Sequence, residues 1–266
     1  MTEISASMVK ELREATGAGM MDCKNALKET DGDLDAARTL LREKGLASAG
    51  KRADRMTTEG TVRVVVSGCV ASIVGLGCET DFVADSAEFQ AFAEKVLAAI
   101  QTGGPEAVET LDAERVELIA TLGENIVPVG AARFEGGTIG AYVHPPANKI
   151  GVLVQLEGGS DELARQLCMH IAFAAPEYTH REDVPAETIE AEKQIYLNSD
   201  ELATKPEAAR EKIVEGMLGK RFFAAAPGGV LVDQAWIHDA AKSVGQALTD
   251  GGATVKQFKR VSVAGS

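Results

Sequence analysis

Four cysteines and four histidines are the residues from which this 266-residue chain could build a nucleophile or a metal site. Cys78 closes an apolar run and precedes Glu79-Thr80-Asp81, between an expected strand and an expected helix. A cysteine nucleophile needs a histidine within hydrogen-bond reach and usually a third group to orient it. His170, two positions after Cys168 on an apolar helical stripe, is the partner to consider beside His144, His180 and His238. The plainer reading makes Cys78 a packed thiol and His170 a hydrogen-bonded helix residue. A cysteine-dependent enzyme using both is the competing one. Cys23, Cys69, Cys78 and Cys168 form no C-x-x-C pair, which reads as reduced thiols in a cytosol and not as a disulfide frame or zinc site.

Phosphate and metal chemistry find no better footing. Gly75-Leu76-Gly77 begins like G-x-G-x-x-G but reaches Thr80 where the last glycine belongs, and no G-x-x-x-x-G-K-[ST] occurs. Gly103-Gly104 and Gly158-Gly159 read as turns. Asp31, Asp33 and Asp35 alternate, but no glutamate follows at EF-hand spacing and the segment caps a helix. No cofactor and no bound metal are expected. What remains is an aromatic residue in a polar loop, Glu79-Thr80-Asp81-Phe82-Val83-Ala84-Asp85-Ser86. With a helix capped near Asp85 or Ser86, Phe82 lies before it. It either tucks under that helix as a hydrophobic staple or stands out as an aromatic anchor for a partner. Local pattern favours the staple. An acidic chain without a site of its own, carrying helical modules at its ends, favours a protein that regulates a partner.

The elements around that loop are α+β. Ile4, Met8 and Leu12 recur at helical spacing behind Ser5 or Ser7, and Thr16-Gly17-Ala18-Gly19 ends that helix. A second helix covers 20–29. A third carries Leu34, Ala37, Leu40 and Leu41 and is expected to stop at Lys44-Gly45. Residues 46–58, with Lys51, Arg52 and Arg55, read as an exposed, partly helical linker. From Glu59 the period becomes two: Thr61–Val66 and Val70–Leu76 form a hairpin around Ser67-Gly68. A helical stripe follows on Phe89, Phe92, Ala93, Val96, Leu97 and Ile100, then helical segments over 105–111 and 113–122. Gly137-Thr138-Ile139, a strand over Ile150–Leu156 and a helix on Leu163, Leu167, Ile171 and Ala174 repeat the plan, as in a duplicated hairpin-plus-helix core. Residues 184–223 read as a long, protruding helical hairpin able to dimerise or dock a partner. The tail holds Val230–Trp236, a helix near 240–249 and a strand near 254–263. The divisions are therefore 1–45, 46–58, 59–136, 137–183, 184–223 and 224–266.

Composition limits the partners. With 27 Lys+Arg against 40 Asp+Glu, the net charge of -13 opposes direct binding of nucleic acid. No apolar stretch approaches the roughly 18 residues of a membrane span, and Met1–Lys10 lacks a secretory core. A cytoplasmic location is expected.

Two segments are specific. Leu12-Arg13-Glu14-Ala15-Thr16-Gly17-Ala18-Gly19-Met20-Met21-Asp22-Cys23-Lys24-Asn25-Ala26-Leu27 and Cys78-Glu79-Thr80-Asp81-Phe82-Val83-Ala84 resemble the two signatures of the bacterial elongation factor Ts family. Met169–Ala172, 176–184, Lys212–Gly216 and Lys242–Gln246 extend the resemblance in order over nearly the whole chain. It implies an N-terminal three-helix module like the ubiquitin-associated fold, a duplicated α+β core, an inserted helical hairpin and a C-terminal module. It implies guanine-nucleotide exchange on elongation factor Tu during translation elongation, without enzymatic catalysis. Thr80, Asp81, Phe82 and Val83 would enter the GTPase, disturb its Mg2+ site and loosen GDP. In some members the hairpin mediates self-association, so a homodimer through 184–223 is an expectation too. The chain departs from the family pattern at Gly75 and Gly77, where Glu-x-Asn is common, and at Asp85, where a basic residue is common. Backbone freedom at the glycines is expected to loosen the strand end. Asp85 adds negative charge beside the wedge. A passive helical adaptor that binds without releasing nucleotide is the remaining alternative.

Overall fold

The computed structural model describes residues 4–49 and 52–263, the side chains of 46–49 excepted. Helix α1 (Ala6–Thr16) starts at Ser5, whose Oγ accepts the Met8 N–H, and ends at Gly17 in the left-handed region (φ 68°). Helix α2 spans Met20–Glu29 and α3 spans Leu34–Ala49. Asp33 opens α3 by accepting the Asp35 and Ala36 N–H groups, each at 3.0 Å. Val9, Leu12, Cys23, Ala26, Leu27 and Ala37 form the shared core. The expected stop at Gly45 is overturned, because α3 continues to Ala49. Gly45 instead lets α3 approach the helix at 112–122: a Cβ there would lie 2.6 Å from the Ala120 Cβ. Exposure of Lys51 in the expected linker lies outside the described residues.

Strands β1 (Glu59–Ser67) and β2 (Val70–Cys78) make the expected hairpin, and β3 (Val127–Glu135) adds to β2. Helix α4 (Asp81–Ala84) is a single turn, and α5 (Ala87–Gly103) follows it. A 3-10 segment over Pro105–Leu111 leads into α6 (Asp112–Leu122). The second sheet has order β4 (Thr138–Val143), β5 (Ile150–Gly158), β8 (Ala253–Ser262), with α7 (Asp161–Ala174) after the hairpin. Both sheets are antiparallel, both place a third strand beside the hairpin's second strand, and both shift register there, at Gly75/Leu76 and Gln155/Leu156.

Burial gives four layers. Val74, Leu76 and Cys78 pack on α5, while Ala71 and Ile73, on the opposite face of β2, meet Leu153 and Val261 of the second sheet. Val152, Val154 and Leu156 pack on α7. The order is helix, sheet, sheet, helix. The runs in β2 and β5 are almost continuously apolar because both faces of each are covered.

Helices α8 (Ala186–Leu197), α9 (Asp200–Ala203) and α10 (Glu207–Met217), the last continued by a π-helical stretch over Leu218–Phe223, occupy the segment of the expected hairpin. Its first arm breaks after Leu197, whereas the second runs helically from Glu207 to Phe223, the last turn and a half as a π-helix. Leu202, Val214, Met217, Leu218 and Phe223 fill its core. Arg181 fixes the base by donating from Nε to both Asp233 carboxylate oxygens at 3.0 Å, with its guanidinium 4.7 Å from the Phe223 ring centre. In the tail, β6 (Ala235–Trp236) pairs with β7 (Asp239–Ser243), so α11 (Val244–Asp250) begins later than the expected helix, at the cap supplied by Ser243. Leu231, Trp236, Val244, Leu248, Ala253 and Val255 all belong to the second core. The described tail thus packs into the second core. No described helix is long and apolar enough to cross a membrane.

Candidate functional site

The loop after β2 is clamped at both ends and bare in the middle. Thr80 caps α4, its Oγ1 accepting the Val83 N–H at 3.4 Å. Asp81 Oδ1 accepts the Phe82 N–H at 2.9 Å. One helical turn rotates Val83 and Ala84 into the first core and leaves Asp81 and Phe82 outward. Phe82 is 86% exposed, so the expected staple is overturned. Beyond the turn, Ser86 caps α5 through the Phe89 N–H at 3.3 Å and donates to the Val83 carbonyl at 2.8 Å. Gln90 Nε2 donates to the Ala84 carbonyl.

The upstream clamp comes from residues far along the chain. Glu124 Oε2 accepts the Thr80 N–H at 2.9 Å and the Glu79 N–H at 3.1 Å, and Thr80 Oγ1 donates to Oε1 at 2.6 Å. The buried Asn125 donates its N–H to Glu79 Oε1 at 2.7 Å and its side-chain amide to the carbonyls of Ala53 and Arg55. Arg55 in turn reaches Glu79 at 3.3 Å. The expected linker is therefore tied to the loop at 53–55.

A model of the family described as elongation factor TS matches residues 79–265, a span that opens within this loop. Proteins named elongation factor Ts from Salmonella agona (strain SL483), Salmonella newport (strain SL254) and Salmonella typhi are each 44% identical over 267 residues, covering 99% of this chain and 92% of theirs. This chain belongs to the elongation factor Ts family. It is thereby an elongation factor of protein biosynthesis, in the class of exchange factors.

The rival cysteine–histidine arrangement is not assembled in this elongation factor Ts family member. Cys78 sits in the first core and donates to the Thr80 carbonyl at 3.2 Å. Burial, and then the Glu124 carboxylate, push its thiol up to about 12, so it stays protonated. His170 lies on α7, where Nε2 meets Gln234 Oε1 at 2.9 Å and Nδ1 accepts the Ile237 N–H at 3.4 Å. Its ring stacks on Trp236, with centroids 5.3 Å apart. Among the described residues, no group of three or more His, Cys, Asp or Glu side chains is placed to hold a metal ion.

The family departures acquire a physical reading. Neither Gly75 nor Gly77 uses the left-handed region, and the register of β2 with β3 shifts at Gly75/Leu76. The two glycines make room: a Cβ at Gly75 would lie 2.5 Å from Val261 Cγ1, and one at Gly77 would lie 2.9 Å from Thr57 Oγ1. Asp85 is exposed and shares a surface groove with Arg63 and Gln90. Sequence reasoning missed Glu124, Asn125 and Gln90. The available signal was a polar pair, Glu124-Asn125, pressed between the helix stop at Gly123 and the apolar Ile126-Val127.

Proposed function

We propose that this chain is the guanine-nucleotide exchange factor of elongation factor Tu, acting in the cytoplasm without catalytic residues of its own. The observation that carries the reading is Phe82, 86% exposed on a turn clamped on both sides. A large apolar side chain held in water is poised to gain by burial in a partner. Phe82 enters an apolar pocket of the GTPase and shifts its helices. Asp81 competes for hydrogen bonds near the region that holds Mg2+. Thr80 and Val83 keep the turn in shape. Displacing Mg2+ removes the largest positive charge beside the GDP phosphates, and GDP affinity falls. By linkage, nucleotide weakens the factor's own binding by the same ratio.

The proposed divisions are a ubiquitin-associated-like module at 1–45, a linker at 46–58, core halves at 59–136 and 137–183, the hairpin at 184–223, and the end of the core with a C-terminal module at 224–266. Module, core and tail all contact the partner. The hairpin leaves Ile195 61% and Leu197 38% exposed, which supports self-association there as a second contact.

The test follows fluorescent GDP leaving elongation factor Tu in excess unlabelled GDP. The factor should accelerate release at catalytic amounts. Phe82→Ala should cost about 2 kcal/mol of partner interaction, roughly thirtyfold, with no loss of fold. Full activity in a folded Phe82→Ala protein removes the wedge. Binding without accelerated release makes the chain a passive adaptor.

A further inference from the structure

We infer that Glu124 is the positioning residue that holds Phe82 out for its partner. The inference rests on the exchange-factor reading and adds a residue that never needs to touch the GTPase. An exposed phenylalanine gains by folding back onto its own protein unless the backbone beneath it is fixed. Here one carboxylate fixes it. Glu124 receives the N–H groups of Glu79 and Thr80 and the Thr80 hydroxyl, at 3.1, 2.9 and 2.6 Å. Hydrogen bonds to an ionised acceptor are roughly twice as strong as neutral ones. The same hydroxyl caps α4 through the Val83 N–H. Glu124 thereby sets the direction in which Thr80 launches the turn, and the turn sets whether position 82 or position 83 faces water.

The support behind Glu124 is rigid. Gly123 ends α6 in the left-handed region (φ 78°), donating its N–H to the Ile119 carbonyl. Asn125 and Ile126, which follow, are buried. Helix α6 also carries Ala120, against which α3 packs, and Glu117, which pairs with Arg42 of α3. One continuous element therefore joins the N-terminal helices to the residue that orients the wedge.

The full chain is compared with Glu124→Ala and Glu124→Gln in two measurements. In the free protein, Glu124→Ala should speed amide hydrogen exchange at Glu79 and Thr80 by about tenfold or more, leaving Ile73 and Val74 unchanged. With GDP-loaded elongation factor Tu, its maximal release rate should fall by about tenfold or more, while the half-saturating factor concentration moves less than about threefold. Glu124→Gln keeps a carbonyl acceptor and should recover most of both. The inference is overturned if Glu124→Ala leaves the two amides protected, or if they loosen while maximal release stays at the wild-type value. Failure of the wild-type chain itself to release GDP removes the exchange reading, and this inference with it. A wild-type chain that works beside an equally active Glu124→Ala removes this inference alone.

Discussion

Neutral imidazole at position 170 is fixed by three neighbours: Gln234, the Ile237 N–H and the Trp236 ring. Because Nδ1 accepts from Ile237, the ring proton sits on Nε2 and points at Gln234 Oε1. Burial lowers the His170 pKa below its ordinary 6.5; the Gln234 bond opposes that shift, and the exposed His238 adds to it. The sign follows from proton counting. Below about pH 6.5 the unfolded chain takes up a proton that the folded chain resists, so this contribution to stability is whole above that pH. It is lost as pH falls through the lowered folded value. A second proton on the ring would also set an N–H against the Ile237 N–H. Thermal unfolding between pH 7.5 and about 5 should therefore show a steeper loss in the wild type than in His170→Gln, whose baseline is lower but whose slope lacks this group. Equal slopes would mean that His170 titrates as an ordinary surface residue.

Between elements, the contact of α3 with α6 depends on a missing side chain. Glycine inside a helix costs about 1 kcal/mol relative to alanine, so Gly45→Ala on a free helix would stabilise. Here the added Cβ would sit 2.6 Å from the Ala120 Cβ. Gly45→Ala should instead destabilise by about 1–3 kcal/mol, as overpacking does. Adding Ala120→Gly should restore part of that loss, giving a coupled double-mutant cycle in urea unfolding. An additive cycle, or a stabilised Gly45→Ala, would break the account. The same residue shows where sequence stops being informative. Local signals placed α2, both hairpins and the stripes of α5 and α7, because period and caps are local properties. Gly45 looked like a stop because a stop and a close contact use the same residue type. Strand β3 was hidden by Pro128 and Gly130, which an edge strand tolerates. At the site, the loop itself was legible as a motif. The outward turn of Phe82 depends on one helical rotation, and Glu124 lies 44 positions from the Thr80 it holds.

Across the whole molecule, the two sheets exchange a glycine for a valine. A Cβ at Gly75 would strike Val261 Cγ1 at 2.5 Å, and a Cβ at Gly151 would strike Val62 Cγ1 at the same distance. Each sheet thus receives a side chain of the other, with Ile73, Leu153 and Val261 sealing the seam. The Thr80–Val83 loop leaves the first sheet, whereas the tail packs into the core of the second. A partner gripped by both halves would feel Phe82 as a fixed point only if the seam does not slip. The seam should accordingly make the core one cooperative unit, and Trp236, the single tryptophan, reports on its second half alone. Ile73 is fully buried, and Ile73→Ala should cost about 2–5 kcal/mol through lost transfer energy and the cavity left behind. The decisive observation is which signals move. In urea, tryptophan fluorescence and far-ultraviolet circular dichroism should give coincident midpoints for the wild type, and Ile73→Ala should lower both together. A fluorescence midpoint that stays in place while the dichroism shifts would show that the halves unfold separately, and that the wedge is not rigidly tied to the second sheet.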